Sequence, residues 1–357
     1  GMLPTLKEVV ERLFTSGLIR LLFTTETFAL GINMPASTVV FDELTKFDGV
    51  EFGPMKCQDY QQMAGRAGRR GMDDAGFVYA RVDPASLPLP EVKRIVLGTA
   101  EDVDSRFNLS YATVLNLHAR LKGRLYEACA RSFGAFQARR RPAAYRGPDY
   151  ARIAAAKVAL LRERAYLSDD GLLARGRMAA SLSGFEIPGT ELYFTGLLEG
   201  LDPDLLNVLL MGVIFEGRER DTFEAMPQGV LGRRDREIER LIGDVRRSER
   251  AHGVPDPIRP LDFRFSRVAY EFSRGAAFAD LARWTSASEG DMVRSFRRLI
   301  QILRQTREAA KGDAAFAALL GECLSRINRD VVDAEKELRE GCRIGRGRRA
   351  HDPLRDA

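Results

Sequence analysis

The chain has 357 residues, 45% of them apolar, enough for two or three globular domains with their own cores. Its 55 Lys and Arg outnumber its 50 Asp and Glu, and the net charge of +5 suits a polyanionic partner. No apolar run is long enough to cross a bilayer. Cys57, Cys129, Cys323 and Cys342 are scattered without a C-x-x-C pair, which argues against a zinc cluster or disulfide framework. His118, His252 and His351 are too isolated for a histidine-based metal or catalytic centre. These features point to a reducing, cytoplasmic setting.

In chain order, Leu6, Val9, Val10 and Leu13 recur at helical spacing, and Gly17 is placed to end that helix. Residues 19–23 (I-R-L-L-F) and 37–41 (S-T-V-V-F) read as buried parallel strands. Asp48-Gly49 between Phe47 and Phe52 predicts a hairpin. A helix is predicted over 57–70 and a further strand over 76–82. Strands alternating with helices mean an α/β lobe, read as part of a parallel sheet. An incomplete parallel sheet leaves an edge unpaired, so cover is expected from the chain's C-terminal part or a second copy.

Pro84, Pro88 and Pro90 mark a linker, after which the pattern is helical. Residues 217–262, with Gly253, Pro255, Pro257 and Pro260, read as a loop between helices. In 291–308 the residues Met292, Val293, Phe296, Leu299, Ile300 and Leu303 form an apolar helix face. Arg294, Arg297, Arg298, Gln301, Arg304 and Gln305 line the other. Trp284 is a candidate stacking residue, with core burial the plainer alternative. Arg139-Arg-Arg-Pro142 reads as a solvated turn or a phosphate contact, and the basic tail after Gly341 reads as disordered.

The most informative stretch is residues 62–71, Q-M-A-G-R-A-G-R-R-G. On one helix, Gln62, Arg66 and Arg69 would share a face. Two guanidinium forks and an amide, with small residues between, suit phosphate oxygens.

Residues 62–71 resemble motif VI of superfamily 2 helicases, Q-x-x-G-R-x-G-R. Residues 24–36, T-T-E-T-F-A-L-G-I-N-M-P-A, resemble motif V of the superkiller-like and exosome-associated DExH-box RNA helicases. Residues 106–117, R-F-N-L-S-Y-A-T-V-L-N-L, fit the same family. Pieces near Asp202, Val268, Glu289 and Ile327 are similar to its C-terminal DSHCT helical domain.

The resemblance implies a multidomain chain. Residues 1–100 would be part of the second RecA-like lobe and 101–190 a linker and winged-helix-like domain. A DSHCT-type helical bundle would fill 191–342, with a basic tail over 343–357. It implies Arg69 as the primary arginine finger, Arg66 as a second phosphate ligand and Gln62 as a γ-phosphate or water contact. Gly31, Asn33 and Glu26 would lie on the nucleotide side. Thr24 and Thr25 would contact nucleic-acid phosphates, and Arg294, Arg298 and Gln301 would line the exit path of a single strand.

The sequence has neither a G-x-x-x-x-G-K-[ST] nor a D-E-x-H stretch, the family's phosphate loop and magnesium motif. The expectation is the C-terminal portion of an ATP-dependent, 3′-to-5′ RNA helicase that starts inside the second lobe and is catalytically incomplete alone. ATP and Mg²⁺ would serve the complete helicase, and neither should bind tightly here; no metal ligand is assigned. Expected partners are single-stranded nucleic acid, RNA above DNA, the first RecA-like lobe, and a second copy over the sheet edge. The alternatives are a stand-alone nucleic-acid-binding module and the corresponding part of a DNA repair helicase.

Overall fold

The computed structural model describes residues 2–25, 36–47, 52–69, 71–103, 105–140, 147–227 and 229–333. The chain divides into two compact units, residues 4–104 and residues 105–357 with the first three.

The first unit opens on helix α1 (Pro4–Thr15), which Gly17 ends at φ +76°, as expected. Strand β1 (Thr38–Phe41) pairs in parallel with β4 (Phe77–Ala80) in the register Thr38↔Phe77 to Phe41↔Ala80. The predicted hairpin is present as β2 (Thr45–Phe47) and β3 (Phe52–Pro54), antiparallel; its turn lies outside the described residues. Between the hairpin and β4 comes helix α2 (Cys57–Ala64). Helix α3 (Leu89–Leu97) follows β4. Phe41, Leu44, Met55, Tyr60, Leu87 and Ile95 form the core of this unit, with the Phe41 and Tyr60 rings 4.9 Å apart.

One expectation fails here. Residues 19–23 are not a strand, and Leu21 and Phe23 are 71% and 89% exposed. Apolar side chains favour a strand only where a neighbour supplies the ladder. Ile19 N–H donates to Leu13 O, a bond that belongs to the end of α1. Val40, Phe77 and Tyr79 of this sheet are exposed.

The second unit is helical. Helices α4 (Tyr111–Leu121), α5 (Leu125–Ala130), α6 (Phe133–Arg140) and α7 (Tyr150–Glu163) surround a core that includes Tyr111, Leu115, Leu125, Leu161 and Tyr166. After α7 the chain makes one antiparallel bridge, Leu167↔Leu172. Helices α8 (Ala174–Ser181), α9 (Glu186–Phe194) and α10 (Pro203–Ile214) follow. Asp202 caps α10 by accepting from the Asp204 and Leu205 amides, where a carboxylate also suits the helix dipole.

Residues 234–251 correct the predicted loop: they form helix α11 (Arg234–Ala251). Gly253, Pro255, Pro257 and Pro260 lie outside it, and Ile238, Ile242 and Val245 repeat at helical spacing and are buried. Ile238 and Ile242 join one core and Val245 the other, so α11 ties the two together. Its Glu249 is fully buried, accepting from Tyr111 Oη at 2.7 Å and the Ile258 amide at 2.8 Å. Burial pushes its carboxyl above the usual range.

The larger core joins α10 to α12 (Ser266–Ser273), α13 (Glu289–Ala309) and α14 (Ala314–Ile327). Met292, Val293, Phe296, Leu299, Ile300 and Leu303 are all buried, the face expected of α13. Phe296 lies 4.5 Å from the Phe272 ring and 5.5 Å from Phe265. Phe296→Ala should cost about 3–5 kcal/mol in urea unfolding, whereas Val40→Ala on the exposed strand should change stability by about 0.5 kcal/mol or less.

Candidate functional site

The arginine-rich loop depends on where α2 stops. Lys56 supplies no side-chain cap to that helix. Glu101 does so from a distance, its two carboxylate oxygens accepting from the Cys57 and Gln58 amides at 2.7 and 3.0 Å. Burial would raise the Glu101 pKa, but those amides and the Arg94 guanidinium outweigh it and hold the carboxyl down at about 2.

The helix ends at Ala64 with Gly65 as its C-cap. Gln62, Arg66 and Arg69 therefore do not share a helix face, which corrects the expected helix over 57–70. The physical cause lies in the backbone. Ala36 N–H donates to Arg66 O at 3.0 Å, and Gly68 N–H donates to Ala36 O at 2.7 Å. These form a parallel bridge between Ala36 and Ala67, so the backbone of 66–68 pairs across the fold. Ala36 closes the motif V segment, so the two motifs are joined directly at the main chain.

Gly68 sits at φ +89°, where L side chains are strained. A Cβ on Gly76 would lie 2.5 Å from Ala67 C and O and 2.6 Å from Gly68 N. The glycines thus let the loop and the entry to β4 pack main chain on main chain.

Arg69 emerges from this turn, its side chain 42% exposed. Asp73 accepts from the Arg69 amide at 2.8 Å, from Nε at 2.9 Å and from Nη2 at 2.8 Å. This is a bidentate fork with a backbone bond added. Arg69 holds the Asp73 carboxyl down at about 2 and is itself raised by the pairing. A guanidinium has five N–H donors, and Asp73 engages two. Among the described residues the others have no partner, which leaves them for a second anion. Arg66 is half-buried and Gln62 exposed; neither side chain has a hydrogen-bond or ion-pair partner among the described residues.

Thr24 and Thr25 are exposed, with Thr24 Oγ1 donating to Thr25 O. Glu26, Gly31, Asn33 and Arg70 lie outside the described residues. Asp73 takes Arg69. Asp73 and Glu101 are the functional neighbours that sequence reasoning missed. An i, i+4 acid after an arginine was a visible signal for Asp73; nothing local pointed to Glu101.

In the second unit, Arg294, Arg298 and Gln301 all lie exposed on α13, as expected. Arg294 Nη1 is 3.5 Å from Asp291 and Arg298 Nη2 is 3.5 Å from Glu216. Arg218 also reaches Asp291, at 3.3 Å. They border a cleft of about 170 Å³ lined by Glu216, Arg218, Asp291, Arg294 and Arg298. Exposed pairs of this kind are worth about 0–1 kcal/mol, so a phosphate can displace the carboxylates. Trp284 is half-buried against the large core, with the Arg267 guanidinium 5.9 Å from its ring. Among the described residues no group of His, Cys, Asp and Glu is arranged to hold a metal, and no helix is long and apolar enough to cross a membrane.

Comparison with known proteins agrees with this layout. Residues 1–71 match the helicase conserved C-terminal domain and residues 169–335 the DSHCT (NUC185) domain. Among similar proteins, the exosome RNA helicase MTR4 of Homo sapiens is 53% identical over 117 residues, 33% of this chain and 11% of that protein. Superkiller complex protein 2 of Homo sapiens is 44% identical over 140 residues, 39% of this chain and 11% of that protein. DExH-box ATP-dependent RNA helicase DExH11 of Arabidopsis thaliana is 45% identical over 141 residues, 40% of this chain and 10% of that protein. The matches thus span about a tenth of the relatives' length.

A lobe carrying motifs V and VI, joined to a DSHCT domain, defines the C-terminal part of a helicase. Over the matched residues the chain is similar to the superkiller-like, exosome-associated DExH-box RNA helicases.

Two outcomes test the loop. Asp73 has a depressed folded pKa, so its contribution is complete above the unfolded value near 3.8 and is lost as pH falls through about 2. A carboxyl NMR titration should place its midpoint near 2, and a midpoint near 4 would break the clamp. Gly76→Ala should destabilise the first unit by about 1–3 kcal/mol through overpacking, read by thermal unfolding.

Proposed function

We propose that this chain supplies the second-lobe arginines and the strand-holding helix of an ATP-dependent RNA helicase that moves 3′ to 5′ on a single strand. The observation that carries the reading is Arg69, aimed by Asp73 from a loop pinned to the end of motif V. Charge neutralisation is most of what a protein contributes to phosphoryl transfer. A buttressed guanidinium with unspent donors fits that work.

The donor set fits a polyphosphate: Arg69 as the finger, Arg66 as a second phosphate ligand, Gln62 as an amide reaching the γ-phosphate or water. Glu26, Gly31 and Asn33 complete the nucleotide side in this reading. ATP with Mg²⁺ provides the transferable phosphoryl group in the complete helicase. No residue here is given a role in holding magnesium, which the reading assigns to the first RecA-like lobe. Thr24 and Thr25 offer exposed hydroxyls to a nucleic-acid phosphate. Arg294, Arg298 and Gln301 form the track on α13 that grips the strand between steps.

The winged-helix reading of 101–190 rests on the α4–α8 cluster and its single-rung turn at Leu167 and Leu172. Exposed Val40, Phe77 and Tyr79 support a surface for the first lobe or a second copy. The buried free thiols Cys57, Cys129 and Cys323 support the cytoplasm. RNA is favoured over DNA by the relatives' names. A stand-alone binding module would have no use for an arginine clamped and half-exposed beside Gln62.

This chain alone should not hydrolyse ATP in the presence of RNA; robust turnover abolished by Arg69→Ala would contradict that. With a first lobe added in trans, activity should appear, and Arg69→Ala should lower kcat about a thousandfold or more. Arg294→Ala with Arg298→Ala should weaken single-stranded RNA binding and flatten its salt dependence by about 0.7 in slope per phosphate lost. Affinity indifferent to the ribose 2′-hydroxyl would favour DNA.

A further inference from the structure

Helix α6 is built upside down for a core helix. Its small residues Gly134 and Ala135 face inward and are buried. A Cβ on Gly134 would lie 2.6 Å from the Tyr150 ring, so this contact demands glycine. Its large residues point out. Phe133 is 57% exposed and Phe136 44%, at helical spacing on one face. Their rings are 6.3 Å apart and nearly parallel, at 18°. Leaving two phenylalanines in water while burying a glycine forfeits hydrophobic stabilisation, and exposed apolar groups rimmed by charge mark interaction surfaces.

The rim is cationic. The Arg140 guanidinium sits 5.2 Å from the Phe136 centroid. Arg139 is anchored by Nη1 to Ala130 O at 2.7 Å. Arg131 stands 77% exposed beside Glu127. Helix α6 itself, F-G-A-F-Q-A-R-R, carries no acid.

We propose that Phe133, Phe136 and Arg140 form a stacking site for successive bases of single-stranded RNA, apart from the α13 track. Nearly parallel exposed rings with arginines beside them are the chemistry by which proteins hold unpaired bases and their phosphates. A duplex buries its base faces and cannot use the rings. A protein partner would be expected to bury more apolar area than two rings on an eight-residue helix offer. The inference rests on RNA being the polyanion this chain binds.

The test is fluorescence anisotropy of the full chain with a labelled single-stranded oligoribonucleotide and its duplex. Phe133→Ala/Phe136→Ala should weaken single-strand binding tenfold or more, leaving its salt slope and duplex binding unchanged. Phe133→Tyr/Phe136→Tyr should restore binding, whereas Phe133→Leu/Phe136→Leu should not. Arg140→Ala should reduce the salt slope by about 0.7. These rings are solvent-facing, so melting curves of the variants should overlay the parent.

Unchanged single-strand affinity in the alanine variant, with Arg294→Ala/Arg298→Ala still weakening it, would overturn the α6 site and leave the proposed function standing. No RNA binding by the parent chain would overturn both. Self-association abolished by the alanine variant, with RNA affinity intact, would assign the face to a second copy and refute the stacking site.

Discussion

Ala36 fixes the geometry of this molecule's first unit with its two main-chain bonds, N–H to Arg66 O and O to Gly68 N–H. Backbone groups spent on that bridge cannot continue α2, so the helix stops. Stopping there requires Gly68 in the left-handed region and Gly76 without a side chain. The turn that results brings Asp73 onto Arg69. Each feature follows from the one before, and the end of the series is an arginine with a fixed direction and free donors. Phosphate chemistry gains from donors that need no reorganisation when charge develops.

The second unit separates its tasks differently. On α13 the apolar face is locked by ring-on-ring packing around Phe265, Phe272 and Phe296. The opposite face carries Arg294 and Arg298 in exposed, exchangeable pairs. In the proposed role, a rigid rod with a labile charged surface would hold a strand without being deformed by it. The core resists bending because a buried phenylalanine contributes several kcal/mol. The surface releases because its pairs contribute less than one each.

Much of this was legible in the sequence. The apolar face of α13, the end of α1 at Gly17, and the β2–β3 hairpin follow from spacing and from glycine chemistry. Gln62, Arg66 and Arg69 stood out by residue type. Their arrangement was not legible, because local spacing cannot reveal that Ala36, upstream of β1, the β2–β3 hairpin and α2, competes for the helix's backbone bonds. Glu101 was invisible for the same reason: its partner amides are far away in sequence. Residues 19–23 failed because an apolar run specifies burial, not a strand, and no described neighbour supplies a ladder. Helix α11 was hidden by Gly253 and the prolines beside it, though its isoleucine repeat was in plain view.

The most direct measurement is amide hydrogen exchange at Ala36 and Gly68, in the parent chain and in Gly76→Ala. If the bridge sets the arginine loop, both amides are protected like those of β1 and β4, and both lose protection together in the variant. If Gly68 exchanges at an unprotected rate while β1 and β4 stay protected, the loop is not held by the bridge and the account of Arg69 is wrong.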